Sequence, residues 1–131
     1  MNNTAQIVCN RIITPDGTVI QSHHRHDYVT HIDKNGLEYM VDGGNDYLRR
    51  NFHKEAPATE FSLTMDDPFE DIRQGFTWGT RGKDGKQPLT WVSLCMLETE
   101  HIIAILETQN LANYVTELFE KELEYRIECD V

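Results

Sequence analysis

Lys34-Asn35-Gly36, set between YVTHID and LEYMV, constrains this chain more than any other stretch. Asn-Gly between two apolar-polar alternating runs is a strong local signal for a chain reversal, so the flanking segments are expected to return antiparallel. A two-residue turn at Asn35-Gly36 would pair Lys34 with Leu37. Ile32 then faces Tyr39 and Thr30 faces Val41, which makes these four the apolar face and leaves His31 with Met40 on the other. Upstream, TPDGT sits between Ile7–Ile13 and residues 18–22. Proline presets φ and glycine accepts a positive φ, so a second hairpin is expected there.

Residues 45–52, NDYLRRNF, read as a short helix after Gly43-Gly44. TEFSLTM (59–65) alternates as a strand does. Asp66 or Asp67 can cap a short helix with Pro68 near its first turn, running through Asp71-Ile72. FTWGTRGKDGKQPLTW (76–91) is glycine-rich and basic, hence loop-like, with a strand expected over 89–94. Thr99 can cap a helix carrying Ile102, Ile103, Ile105 and Leu106, and Asn110 breaks it. Leu111, Tyr114, Val115, Leu118, Phe119 and Leu123 then form a helical stripe over 111–126. Strands first and helices later make an α+β fold: N-terminal antiparallel β-hairpins in a meander, a mixed middle and two C-terminal α-helices. A length of 131 residues suits a single domain over 1–131.

Charge is uneven. Residues 98–131 hold nine acids against Lys121 and Arg126, within a net charge of −10. Nucleic-acid binding rests on neutralising phosphates, so it is not expected of such a chain. Acidic helices are usually a solvated face, although they also suit a surface that docks on a host protein. Cys9, Cys95 and Cys129 are odd in number and form no CxxC pair, which favours a reducing compartment and gives no zinc ribbon. Cys95, inside VSLCML, reads as a buried inert thiol. No apolar run reaches membrane length and MNNTAQIVCN has no signal-peptide character, so no membrane partner is expected.

Polar candidates fall in four places. SHHRHDYVTH (22–31) holds four of six histidines. On a strand His24 and His26 would point one way, and His23, Arg25 and Asp27 the other. A metal site, an anion contact through Arg25 and His26, or a strand of mutually bonded polar side chains all remain open. HHRHD is similar to the HxHxDH of metallo-β-lactamase-type phosphodiesterases, but Asp27 directly follows His26 and the last histidine is missing. His31, Asn45 and His53 are spaced like an HNH nuclease motif, with Thr30 where that motif wants Asp or His. VDGGNDYLRRN offers backbone N–H groups at a helix start, Tyr47 for stacking, and Arg49 and Arg50 for phosphate; a plain turn with Asn45 or Asp46 as cap is the alternative. WGTRGKDGKQP, with Trp78, Arg81 and Lys83, suits either a phosphate-contacting lid or a flexible surface loop. It lacks the GK[ST] ending of a Walker loop.

Ser22, Arg25, His26, Asp27, Tyr28 and Val29, followed by VDGG at 41–44, Asp46, Tyr47, Arg49 and Arg50, carry a resemblance. They match a core of the form S-x-x-RHD-[FY]-V … VDGG-x-[DE]Y-x-RR. On this core the chain resembles a family of small uncharacterised tailed-bacteriophage proteins, and WGTRGKDGKQPL with ETEHIIAILETQ resembles a downstream part of longer members. Shorter relatives carry CxxC and CxC pairs around the RHD element, where this chain keeps only Cys9 and has the THIDKNG hairpin. The resemblance implies a phage accessory protein in the host bacterial cytoplasm. The recurring set of His, Asp, Tyr and Arg lacks a plain nucleophile, which suits recognition better than covalent catalysis. The expected ligand is a nucleotide-like phosphorylated small molecule, sequestered as a host defence signal of cyclic nucleotide or cyclic ADP-ribose type. The expected contacts are Arg25, His26, Asp27, Tyr28, Asp46, Tyr47, Arg49, Arg50, Trp78, Arg81 and Lys83, in a homo-oligomer with no cofactor, no metal and no catalytic residue. A metal-dependent phosphodiesterase or nuclease using the histidines, and an acidic inhibitor of a host protein, are the alternatives.

Overall fold

A computed structural model of the chain describes residues 5–129. The fold is α+β, and the chain divides into two compact units, Met1–Pro68 and Phe69–Val131. Among the described residues no helix is long and apolar enough to cross a membrane.

The first unit is built on β1 (Ile7–Ile13), which pairs antiparallel with β2 (Val19–Ser22). The turn between them is closed by Thr14 N–H to Thr18 O at 2.9 Å and Gly17 N–H to Thr14 O at 2.8 Å, with Gly17 at φ +89°. β3 (Val29–Ile32) and β4 (Glu38–Asp42) form the second hairpin, and β5 (Arg49–Arg50) pairs with β4. β6 (Thr59–Glu60) and β7 (Leu63–Thr64) return to β1. The expected strand over 59–65 is thus two short pieces. The Ser62 hydroxyl accepts Arg11 N–H at 3.1 Å and donates to Arg11 O at 3.2 Å, filling the place of ladder bonds between them.

The second hairpin departs from the expected register by one residue. Asp33 N–H bonds Leu37 O and Gly36 N–H bonds Asp33 O, both at 2.9 Å, so three residues form the loop. Asn35 keeps a negative φ and only Gly36, at +84°, is left-handed. A two-residue I′ turn needs positive φ at both positions, whereas this is a type I turn closed by a glycine bulge. Its Asn35 side chain accepts Leu37 N–H at 2.9 Å. The register is therefore Ile32↔Glu38, His31↔Tyr39, Thr30↔Met40 and Val29↔Val41. A one-residue slip exchanges the faces. Ile12, Ile20, Tyr39 and Val41 make the core, with Val29, Leu37 and Ala58 against it. Ile32 is 67 % exposed. His31 shares the inner face with Tyr39.

The expected helix over 45–52 does not form. Asp46 N–H bonds Gly43 O at 3.1 Å in a turn with Gly43 and Gly44 at positive φ, and the chain reverses onto β4, pairing Asp42 with Arg49 and Val41 with Arg50. The two-glycine turn directs the backbone groups of residues 49–50 to a neighbouring strand instead of to one another.

In the second unit, α1 (Phe69–Gly75) runs past the expected Ile72. β8 (Thr77–Thr80) and β9 (Thr90–Ser93) form a hairpin, so Trp78 stands on a strand and the loop is confined to 81–89. α2 (Thr99–Thr108) and α3 (Asn113–Cys129) follow. Thr99 is the first residue of α2 instead of its cap, since Glu98 takes the cap position without a side-chain bond. The Thr99 hydroxyl accepts Arg126 Nη1–H at 2.8 Å instead. Cys95 is half-buried in a 3-10 turn, whereas Cys9 is the fully buried thiol.

The stripe of α3 buries Val115, Leu118 and Phe119, and Phe119 meets Phe76 and Trp78 edge-on at 6.2 and 5.4 Å. Leu118 is 0 % exposed, so Leu118→Ala should cost about 2–5 kcal/mol. Leu123, only half-buried, should cost less. Denaturant midpoints read both, and a loss below about 0.5 kcal/mol at Leu118, the usual surface range, would refute the packing.

Candidate ligand-binding face

Two loops of the first unit, 23–28 and 43–48, are locked together by Ser22. Its buried hydroxyl donates to Asp27 O at 2.6 Å and accepts Gly44 N–H at 2.9 Å. Asp27 Oδ2 accepts His23 N–H at 2.8 Å, which closes the RHD loop on itself. The loops approach so closely that a Cβ on Gly44 would lie 2.4 Å from the His24 carbonyl carbon. A side chain on Gly43 would meet Tyr47 at 2.5 Å. Asn10, fully buried on β1, donates to Asp42 O at 2.8 Å and Tyr47 O at 3.3 Å, which fixes the second loop from beneath.

On this platform the sequence-derived residues sort into two groups. Arg25 reaches Asp46 across the loops at 3.7 Å, with side chains 67 % and 52 % exposed. Arg49 holds Asp42 at 3.0 Å and is 60 % exposed. His26, Tyr28 and Tyr47 are exposed beside them in sequence. Arg50 turns the other way, as neighbours on a strand must. Its guanidinium donates to Glu60 at 2.6 Å, Ser62 at 3.0 Å and Asn10 at 3.3 Å. Burial pushes the Glu60 carboxyl up, but the Arg50 and Ser62 hydrogen bonds outweigh it and hold the group below the ordinary 4.5. Asp27 is committed to the loop closure.

Burial holds the His23 imidazole below its ordinary 6.5 against the pull of Asp27. The HHRHD histidines do not gather as a ligand set: among the described residues one group brings three potential metal ligands within 4.8 Å, namely Asp16, His31 and Asp33. Sequence reading missed that group, because the expected two-residue turn places His31 on the outer face, whereas the observed register pairs it with Tyr39. The HNH-like trio also takes separate partners. His31 bonds Asp16 at 3.0 Å, His53 bonds Glu38 O at 2.8 Å and stacks edge-on with Tyr39, and Asn45 O accepts from Gln6 at 2.8 Å.

Trp78, Arg81 and Lys83 belong to the second unit. The Trp78 ring packs on Phe119, while Arg81 and Lys83 are exposed in the 81–89 loop. Lys83 pairs with Glu98 at 3.6 Å at the edge of a groove of about 490 Å³, which Val92, Met96, Leu97 and His101 also line. Comparison with protein-family models, with curated proteins and with solved structures finds no match to this chain.

Proposed function

We infer that the chain is a bacteriophage accessory protein that binds a nucleotide-like phosphorylated small molecule on the locked loop pair of its first unit, in the host bacterial cytoplasm. The carrying observation is the pair of guanidinium groups, Arg25 and Arg49, more than half exposed on backbone that is tied down on both sides. Among the described residues each has a single carboxylate partner, which leaves further N–H donors for a phosphate. A pre-formed platform lowers the ordering cost of binding. Tyr28 and Tyr47, 57 % and 41 % exposed, supply ring faces for a base or ribose.

Sequestration suits these residues better than turnover. The Ser22 hydroxyl is buried and engaged with His24 O, Asp27 O and Gly44 N–H, and burial pushes the Cys9 thiol up to about 11. Neither is a ready nucleophile. A cyclic nucleotide or cyclic ADP-ribose type of signal fits this chemistry, and the phage resemblance supplies a reason to hold one.

The test is mass spectrometry of small molecules released by denaturing the purified protein, followed by calorimetric titration of the identified ligand in excess chelator. Arg25→Ala and Arg49→Ala should each weaken binding by roughly ten- to hundredfold, the range of one charge-assisted hydrogen bond. Arg25→Ala should move stability by no more than about 0.5 kcal/mol, whereas Arg49→Ala also leaves the Asp42 carboxylate, 10 % exposed, without its ion pair and should cost more. Affinity should fall with added salt. Unchanged affinity in both variants, or recovery of a hydrolysed ligand, would sink the reading.

A further inference from the structure

Beyond the loop pair, the two hairpin turns of the first unit meet at three side chains. Asp16 comes from the β1–β2 turn, His31 from β3 and Asp33 from the start of the β3–β4 turn. One ligand atom from each lies within 4.8 Å of the others. We propose that Asp16, His31 and Asp33 form a binding site for a zinc-type divalent cation that staples one hairpin to the other.

The first support is charge. The Asp16 side chain is 8 % exposed and Asp33 is 5 % exposed, so two carboxylates share a largely dry place. Among the described residues no lysine or arginine forms an ion pair with either, and the basic group that does is His31, on Asp16. With the Asp16 anion held in place by Thr14 and Thr18, two carboxylates against one imidazole leave a local excess of negative charge. A divalent ion cancels it.

The second support is an open acceptor. Asp33 Oδ1 accepts Asp16 N–H at 3.0 Å, while Asp33 Oδ2 accepts no hydrogen bond among the described residues. Asp16 is differently placed. Its Oδ1 takes the Thr14 hydroxyl at 2.6 Å and Thr18 N–H at 3.1 Å, which fixes the carboxylate and leaves Oδ2 facing His31. The turn thus presents one oriented oxygen, and Asp33 presents a second oxygen that takes no hydrogen bond among the described residues.

The third support is distance. His31 Nε2 and Asp16 Oδ2 stand 3.0 Å apart. Two ligands on a tetrahedral ion with bonds of about 2.0–2.1 Å are roughly 3.3 Å apart, so these two need open only slightly. Asp33 completes the set by rotation about its soft terminal torsion. An imidazole with two carboxylates favours zinc, cobalt or manganese over magnesium, which prefers an all-oxygen shell. Three protein ligands leave a fourth position for water. On binding, Nε2 gives its lone pair to the metal and the imidazole proton resides on Nδ1.

The test uses the full chain, stripped with chelator and then titrated with zinc, manganese or magnesium chloride while thermal unfolding is followed. At a hundredfold excess over Kd, zinc should raise Tm by roughly 10 °C, and magnesium should not. His31→Gln and Asp33→Asn should each abolish the rise, while a His24→Ala/His26→Ala double variant should retain it. Should Asp33→Asn fail to fold, imidazole nitrogen NMR of the wild-type protein decides: zinc should move the His31 Nε2 resonance, identified by its loss in His31→Gln. No zinc response in the wild type, a response that survives His31→Gln, or resonance shifts confined to other histidines would each overturn the proposal.

Discussion

Glu122→Ala should be the most damaging single change in the second unit, with a loss of about 3–5 kcal/mol. Glu122 is 0 % exposed on the buried side of α3. Its Oε1 accepts Arg73 Nε–H at 2.8 Å, and its Oε2 accepts Arg73 Nη2–H and Arg126 Nε–H, each at 2.7 Å. Arg126 carries the connection onward, donating to Leu94 O at 3.1 Å and Leu97 O at 2.7 Å. Arg73 also lies over the Tyr125 ring at 4.1 Å, and the Glu122 hydrogen bonds hold its guanidinium above its ordinary value. Removing the carboxylate leaves two guanidinium groups, only 18 % and 22 % exposed, with no counter-charge. Glu122→Gln keeps the shape and should lose less. Urea unfolding monitored by tryptophan fluorescence measures both, since Trp78 packs in this unit. A loss under about 1 kcal/mol for the alanine variant would show that the network is only a surface ion pair.

Gly44→Ala should be the corresponding lesion in the first unit. Gly44 has φ +53° and its added Cβ would meet His24 backbone atoms at 2.4, 2.6 and 2.7 Å. Gly36 offers the control. It has φ +84° and nothing within 4 Å of a built Cβ, so Gly36→Ala registers the left-handed backbone alone, about 1–2 kcal/mol. Gly44→Ala adds a collision with backbone that cannot rotate away, and should exceed about 4 kcal/mol. It should also abolish the proposed ligand binding, because the Ser22–Gly44 closure cannot form. Equal losses in the two variants would mean that the loops part easily.

The positions of the two N-terminal hairpins and both long helices were legible because turn residues and helical periodicity are local signals, whereas the β8–β9 hairpin was read as a loop. The register of the second hairpin was not. Asn-Gly serves both a two-residue I′ turn and a type I turn with a glycine bulge, and the difference is one residue. That residue decides whether Thr30 and Ile32 or Val29 and His31 face the core, and so whether His31 is a surface histidine or a neighbour of Asp16. The run NDYLRR misled for a related reason. Its composition tolerates a helix, but pairing to β4 is a contact between distant residues that propensity cannot see. Glu122 was hidden by its company: in an acid-rich helix one more glutamate reads as solvated. Its spacing from Leu118 and Phe119, and from Arg126 at i+4, was the available signal. At the candidate face the sequence pointed to residues 25–28 and 46–50, and the loops that carry most of them are locked together by Ser22; it treated Arg49 and Arg50 alike, and strand alternation separates them.

The Ser22 closure also bears on how such a protein can diverge. It uses one hydroxyl, two main-chain groups and a glycine, and asks nothing of the side chains at 25, 28, 47 and 49. Substitutions at those rim positions can alter what is recognised without loosening the frame beneath. Changes at Ser22 or Gly44 forfeit the frame whatever the rim displays. Under the proposed function, a lineage tracking a changing ligand can therefore drift at the rim while the latch stays fixed, much as a lock keeps its housing while its pins are recut.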